Sequence, residues 1–177
     1  MAESSTQSNS KPQTLYPGKD AVVDRISSLP ESLLCHILSF LPTKESVATS
    51  ILSTRWELLW TLVPKLDLDS DKISSSALSL DDVDVEVARD IMFAHAVSSV
   101  LVKQECGELQ TFRLRWEICW QVFWLNKNLD AWLGTAAARK VKELDLEIVM
   151  YDSDVENLKL PPSFFSCRTL VVLKLSG

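Results

Sequence analysis

The sequence predicts a mixed α/β chain: three short helices at the N-terminal end, then parallel strands joined through helices. Three observations carry this. Between Pro30 and Trp60 the apolar residues fall at helical spacing in three runs, joined too closely for anything but mutual packing. Further on, Phe112, Leu114, Trp116 and Ile118 alternate with Arg113, Arg115 and Glu117, the signature of a strand with one buried face. Finally, one apolar spacing recurs at Val63-x-x-Leu66-x-Leu68, Leu109-x-x-Phe112-x-Leu114, Val141-x-x-Leu144-x-Leu146 and Leu170-x-x-Leu173-x-Leu175.

Met1 to Lys19 is polar and rich in Ser, Gln and Asn, so residues 1–21 read as a disordered tail. It lacks the features of a signal or transit peptide, and Ala2 stands where myristoylation needs glycine. The first helix is expected over Pro30 to Leu41, with Leu33, Leu34, Ile37, Leu38 and Leu41 on one face. Pro30 suits the first helical position, where its missing N–H costs nothing, and Pro42 stops the helix. Thr43 is placed to cap a second helix through Val47, Ala48, Ile51 and Leu52. Ser53 is placed to cap a third, carrying Trp56, Leu59 and Trp60. Val63-Pro64 then forces extended backbone, which bounds the helical module at 22–64.

Pro64 to Leu68 alternates like a strand, and Asp69 to Asp82 is acidic and serine-rich like a surface loop; 65–82 is thus a strand and an acidic linker. Val83 to Val102 reads as a helix with Val87, Ile91, Ala94, Val97 and Leu101 along its inner side, and Leu129 to Ala138 as another. Val141 to Val149 and Thr169 to Leu175 complete the strands. The repeated units start 46, 32 and 29 residues apart, and the first interval is long enough to hold an inserted helix. The pattern fits a leucine-rich repeat, with ordinary amphipathic strands of a small α/β domain as the alternative; the unbroken Leu-x-Leu recurrence favours reading 83–177 as the start of a leucine-rich-repeat solenoid, its strands parallel because crossover connections join them.

Composition narrows the function. The 177 residues are 46% hydrophobic, and the net charge is −6. Asp67 to Asp90 holds eight acids against Lys72 and Arg89, which accounts for all of that charge. An acidic chain with no basic stripe is a poor nucleic-acid binder, since affinity there rests on neutralising phosphates. No run approaches the ~18 apolar residues of a membrane span. Cys35, Cys106, Cys119 and Cys167 form no CxxC pair and read as buried, reduced thiols, which fits a reducing compartment. His36 and His95 have no partner at metal-ligand spacing, only four glycines occur, and Asp81-Asp82 is more simply a solvated loop than an acid/base pair. No catalytic constellation, metal or cofactor is expected.

The run from Asp24-Arg25-Ile26-Ser27-Ser28-Leu29-Pro30-Glu31-Ser32-Leu33-Leu34 through Leu41-Pro42-Thr43-Lys44-Glu45, with Val47-Ala48-Thr49-Ser50-Ile51-Leu52-Ser53-Thr54-Arg55-Trp56 and Leu59-Trp60, resembles a plant F-box. Trp132-Leu133, Val141-Lys142-Glu143-Leu144-Asp145-Leu146 and Leu160-Pro161-Pro162-Ser163-Phe164-Phe165 through Leu175 resemble the plant F-box/leucine-rich-repeat proteins that often end in an FBD domain. The resemblance covers about Asp24 to Gly177. It implies a substrate-recruiting subunit of a cullin-RING ubiquitin ligase. The F-box would hold a Skp-family adaptor, the repeats would hold a target, and the setting would be the nucleus or cytoplasm. Leu29, Pro30, Leu33, Leu41, Pro42, Val47, Ile51, Leu52 and Trp56 match the family's docking or core positions.

Relatives usually continue through more repeats and the FBD segment, whereas this sequence reaches Gly177 directly after a repeat strand, as a short variant, a fragment or an early stop would. A competing reading is therefore a truncated F-box protein that occupies the adaptor without recruiting a target. A third, different in class, is a helix-turn-helix DNA binder. Charge opposes it: Asp24 to Asp69 holds six acids against four bases.

Overall fold

A computed structural model describes residues 25–74, 83–119, 126–151, 165 and 167–176. The tail at 1–21, residues 75–82 of the acidic linker and the Leu160–Phe164 stretch lie outside the described residues.

The N-terminal module contains α1 (Glu31–Leu38) and α2 (Thr43–Ala48), followed by single 3-10 turns at Thr49–Ile51 and Leu59–Leu62. Pro30 stands one residue outside α1, and its carbonyl accepts the amides of Leu33 and Leu34. Pro42 takes the same place before α2, so Thr43 lies inside that helix instead of capping it. The expected third helix is a series of turns. Trp56 N–H reaches the Ser53 carbonyl at 2.9 Å and Leu59 N–H the Trp56 carbonyl at 3.3 Å, and only Leu59–Leu62 winds into a 3-10 turn. The apolar requirement there is met by Trp56, Leu59 and Val63 packing on Leu34 and Leu38, which needs no continuous helix.

Four strands follow: β1 (Lys65–Asp69), β2 (Thr111–Cys119), β3 (Glu143–Tyr151) and β4 (Val172–Ser176). They form one parallel sheet in chain order. Its register aligns the repeated spacing. Leu66, Phe112, Leu144 and Leu173 make one row across the sheet, and Leu68, Leu114, Leu146 and Leu175 the next. The residues leading into the first three strands, Val63, Leu109 and Val141, are buried.

Two helices cover the apolar face, α4 (Val83–Lys103) in the first crossover and α5 (Asn126–Ala138) in the second. The acidic linker begins not as a loop but as α3 (Ser70–Ser74), whose Ser70 hydroxyl accepts the Glu117 amide of β2 at 3.1 Å. On α4 the inner side runs through Asp90, Phe93, Ala94, Val97 and Leu101, while the expected core residue Ile91 is 45% exposed. Asp90 takes the inner place because both its oxygens are used. Oδ1 accepts the Trp116 indole N–H at 3.0 Å, and Oδ2 accepts the Cys119 amide at 2.7 Å. Trp116 in turn lies against Phe93 and Trp132 with ring centroids 5.7 and 5.3 Å away. Trp132 of α5 donates to Ser98 of α4 at 3.0 Å, which joins the two helices under the sheet.

The helix ends are closed by backbone and side chain. Arg139 donates to the Leu101 carbonyl in the last turn of α4, where a cation also suits the helix dipole. After α5, Lys140 takes φ 57° while Lys140 and Val141 N–H return to the Ala137 and Ala136 carbonyls, the 5→2 and 6→1 pairs of a Schellman ending.

Candidate functional site

The helical module cannot hide its own apolar residues. Its core is Leu34, Leu38, Trp56, Leu59 and Val63, with Leu29, Cys35 and Leu41 packed beside it. The α1 residues expected to share one face divide. Leu34 and Leu38 turn inward, while Leu33 and Ile37 are left in solvent with Phe40 beyond the helix end. At about 100° per residue, Leu33, Ile37 and Phe40 form a second stripe centred roughly 110° from the core stripe. A third side of α1, at Glu31, Cys35 and His36, faces a cleft of about 780 Å³ whose other wall is Pro64, Lys65 and Gln110.

Of the nine candidate docking residues, Ile51 is 89% exposed, Leu52 63% and Leu33 47%, and Pro30 is also exposed. Leu29, Leu41, Pro42 and Val47 are half-buried, and Trp56 is buried in the core. Sequence reasoning missed Phe40 and Leu58, both well exposed, and set Ile37 on the inner face. The signal was present, since α1 is apolar over an arc too wide for one small core to use.

Arg55 and Trp56 hold the segment ahead of α1 in place. The Arg55 guanidinium donates to the Ser27 and Leu29 carbonyls, and the Trp56 indole donates to the Ser27 hydroxyl at 3.0 Å. Trp56 is therefore a support beneath Leu29 and Pro30. Burial pushes the Cys35 thiol up, with Glu31 adding to the effect, so it stays protonated at neutral pH, directed at the Leu59 carbonyl.

Polar bonds join this module to the sheet. Thr43, almost fully buried, accepts the Asp67 amide of β1 at 2.8 Å. Glu105 and Cys106 N–H share the Thr61 carbonyl, Gln110 N–H takes the Pro64 carbonyl, and the buried Gln104 amide donates to Val63. Lys44 donates to the Lys72 carbonyl of α3.

The other face of the sheet, away from α4 and α5, is charged. Aligned across it are Asp67, Arg113, Asp145 and Lys174 in one row and Asp69, Arg115, Glu147 and Ser176 in the next. Arg113 lies 3.5 Å from Asp67 and 3.1 Å from Asp145, and Lys174 lies 4.0 Å from Asp145 and 3.4 Å from Glu143. Arg115 lies 3.2 Å from Glu117, 3.7 Å from Glu147 and 3.9 Å from Asp71. Lys65 pairs with Asp67 and Lys72 with Asp69.

A family model described as the F-box domain matches residues 26–68. The chain is 37% identical over 155 residues to an F-box/FBD/LRR-repeat protein of Arabidopsis thaliana, covering 87% of this chain and 32% of that protein. It is 36% identical over 167 residues to an FBD-associated F-box protein of the same plant, covering 89% and 31%. It is 40% identical over 153 residues to an F-box/LRR-repeat protein of that plant, covering 86% and 26%. The chain spans about a third of the length of these relatives. No solved structure matches it.

Proposed function

As a plant F-box/LRR-type protein, the chain, we propose, is a substrate-receptor subunit of a Skp–cullin–F-box ubiquitin ligase. It binds a Skp-family adaptor through the helical module and a target protein through the sheet, and acts as a receptor rather than as a catalyst. The observation that carries this reading is the exposed apolar set on an otherwise ordered module. Leu33, Ile51 and Leu52 lie in solvent although a five-residue core sits next to them. Exposed apolar anchors on short helices are what a helix-docking partner buries.

We assign direct contact with the adaptor to Pro30, Leu33, Ile51 and Leu52, and add Ile37 and Phe40. Leu29, Leu41, Pro42 and Val47 shape the edge of that surface, and Trp56 supports it from the core. The four-stranded sheet is read as the first turns of a leucine-rich-repeat solenoid. Residues 22–64 are the docking module and 83–177 the repeat region, linked by 65–82. The setting is the nucleus or cytosol.

Co-purification with a Skp-family adaptor tests the proposal. The two should co-elute at micromolar concentration. Leu33→Asp should weaken the complex at least about tenfold and Pro30→Ala less, both with unchanged thermal unfolding. A well-folded chain that does not bind the adaptor at micromolar concentration would sink the reading.

A further inference from the structure

The open face of the sheet holds few apolar groups with which to bury a partner. Its outward positions alternate in charge across the strands, with β3 acidic throughout at Glu143, Asp145 and Glu147, and the ion pairs there engage seven carboxylates and five cations. The arginines already have carboxylates within ion-pair distance on neighbouring strands or on their own, although Arg115 Nε, 3.7 Å from Glu147, makes no hydrogen bond. Glu147 and the carboxylates behind it raise the Arg115 pKa, the mark of a negative potential at that point. A groove of about 310 Å³ crosses this face between Asp67, Asp69, Asp145 and Glu147, with Arg113 and Arg115 along it.

The two rows differ on β4, where Lys174 stands beside Asp145 in the first and the uncharged Ser176 beside Glu147 in the second. Glu147 is 43% exposed and pairs with Arg115 on the β2 side. Among the described residues no cation stands opposite Glu147 on β4.

We propose that the open face of the sheet docks a basic segment of a partner protein, with a Lys or Arg side chain of that segment seated in the groove against Glu147. The inference rests on the reading of the sheet as the target-holding surface and adds the chemistry of what it holds. Excess carboxylates offer acceptor sites that only donors from outside can use. An acidic segment would meet a surface whose cations are already neutralised, and an apolar one would strand charges out of water.

The test uses the chain in complex with its adaptor and two labelled dodecapeptides, one repeating Gly-Lys-Ser and the other Gly-Glu-Ser, titrated by fluorescence anisotropy at low and at high salt. The basic peptide should bind at least about tenfold more tightly than the acidic one at low salt, with the difference shrinking at high salt. Glu147→Lys should weaken the basic peptide about fivefold or more, and Glu147→Gln by less. Asp130→Lys makes the same change in net charge on the exposed side of α5, behind the sheet, and should alter binding less than about twofold. Equal losses in Glu147→Lys and Asp130→Lys would reduce the effect to overall charge and overturn the proposal, as would equal affinity for the two peptides. Adaptor co-elution is read separately: its failure in the wild type counts against the ligase reading, while its retention in both variants shows that they remain folded.

Discussion

The helical module and the sheet region solve opposite problems with a similar share of apolar residues. The module has a core of five residues and leaves Leu33, Ile37, Phe40, Ile51, Leu52 and Leu58 in solvent. The sheet region gathers nineteen buried residues into one core and turns a charged ladder outward. A small module cannot bury all of its apolar surface, since the buried fraction rises with size. Its exposed residues remain available as anchors. The sheet, with two helices behind it, hides Leu66 and Leu68 of β1, Phe112 to Ile118 at alternate positions of β2, and Leu144, Leu146 and Ile148 of β3, so any recognition on its open face must be polar.

That contrast can be broken most strongly at Trp116. Trp116→Ala removes the largest fully buried side chain and leaves Asp90 without its indole donor. It should cost about 3–5 kcal/mol, seen as a lowered denaturant midpoint. Leu33→Asp in the module should leave that midpoint almost unmoved while weakening the proposed adaptor binding at least about tenfold. If the two variants lost stability equally, the division between core and anchors would be wrong.

Asp90 gives the next effect. Asp90→Ala strands the Trp116 and Cys119 N–H groups and should cost about 2–4 kcal/mol. The carboxyl also titrates. Burial raises its pKa above the ordinary aspartate value, against the hydrogen bonds from Cys119 and Trp116, which lower it. A folded-state pKa above the unfolded one means that the folded chain binds the proton more readily. The contribution of this group to stability is then fullest below the unfolded pKa and is lost as pH rises through the folded one. Denaturant titrations across that window should show the wild type losing ground to Asp90→Asn as pH rises. A gap that does not change with pH would contradict the assignment.

The joint between the two regions is tested by Thr43→Val, which keeps shape but leaves the Asp67 amide without its acceptor. A loss of about 1–2 kcal/mol is expected, with faster amide exchange at Asp67. The smallest effect is a gain. Lys140 holds a left-handed conformation that glycine adopts without cost, so Lys140→Gly should stabilise by about 0.5 kcal/mol despite losing the surface pair with Glu108. Thermal unfolding resolves the sign.

Much of this was legible because periodicity reports which face of an element is wet. The alternation in β2 and the recurring spacing from Val63, Leu109, Val141 and Leu170 placed all four strands, and in the sheet each row aligns the same position of the repeat. The third helix was not legible. Trp56, Leu59 and Trp60 have helical spacing, but a run of turns presents them to the core equally well. Ile91 and Asp90 were exchanged because hydrophobicity ranks an aspartate outside, and only the Trp116 indole and the Cys119 amide make its burial affordable.

The sequence by itself determined the order of the four strands and of the two helices that cover them, the parallel repeat and the position of the helical module, because these follow from local spacing and turn chemistry. Tertiary structure alone decided which apolar residues of α1 face the core, which carboxylates pair across the sheet, and that Thr43 joins the module to β1. Those depend on what lies opposite each side chain in space, and neighbouring residues in the chain carry no record of it.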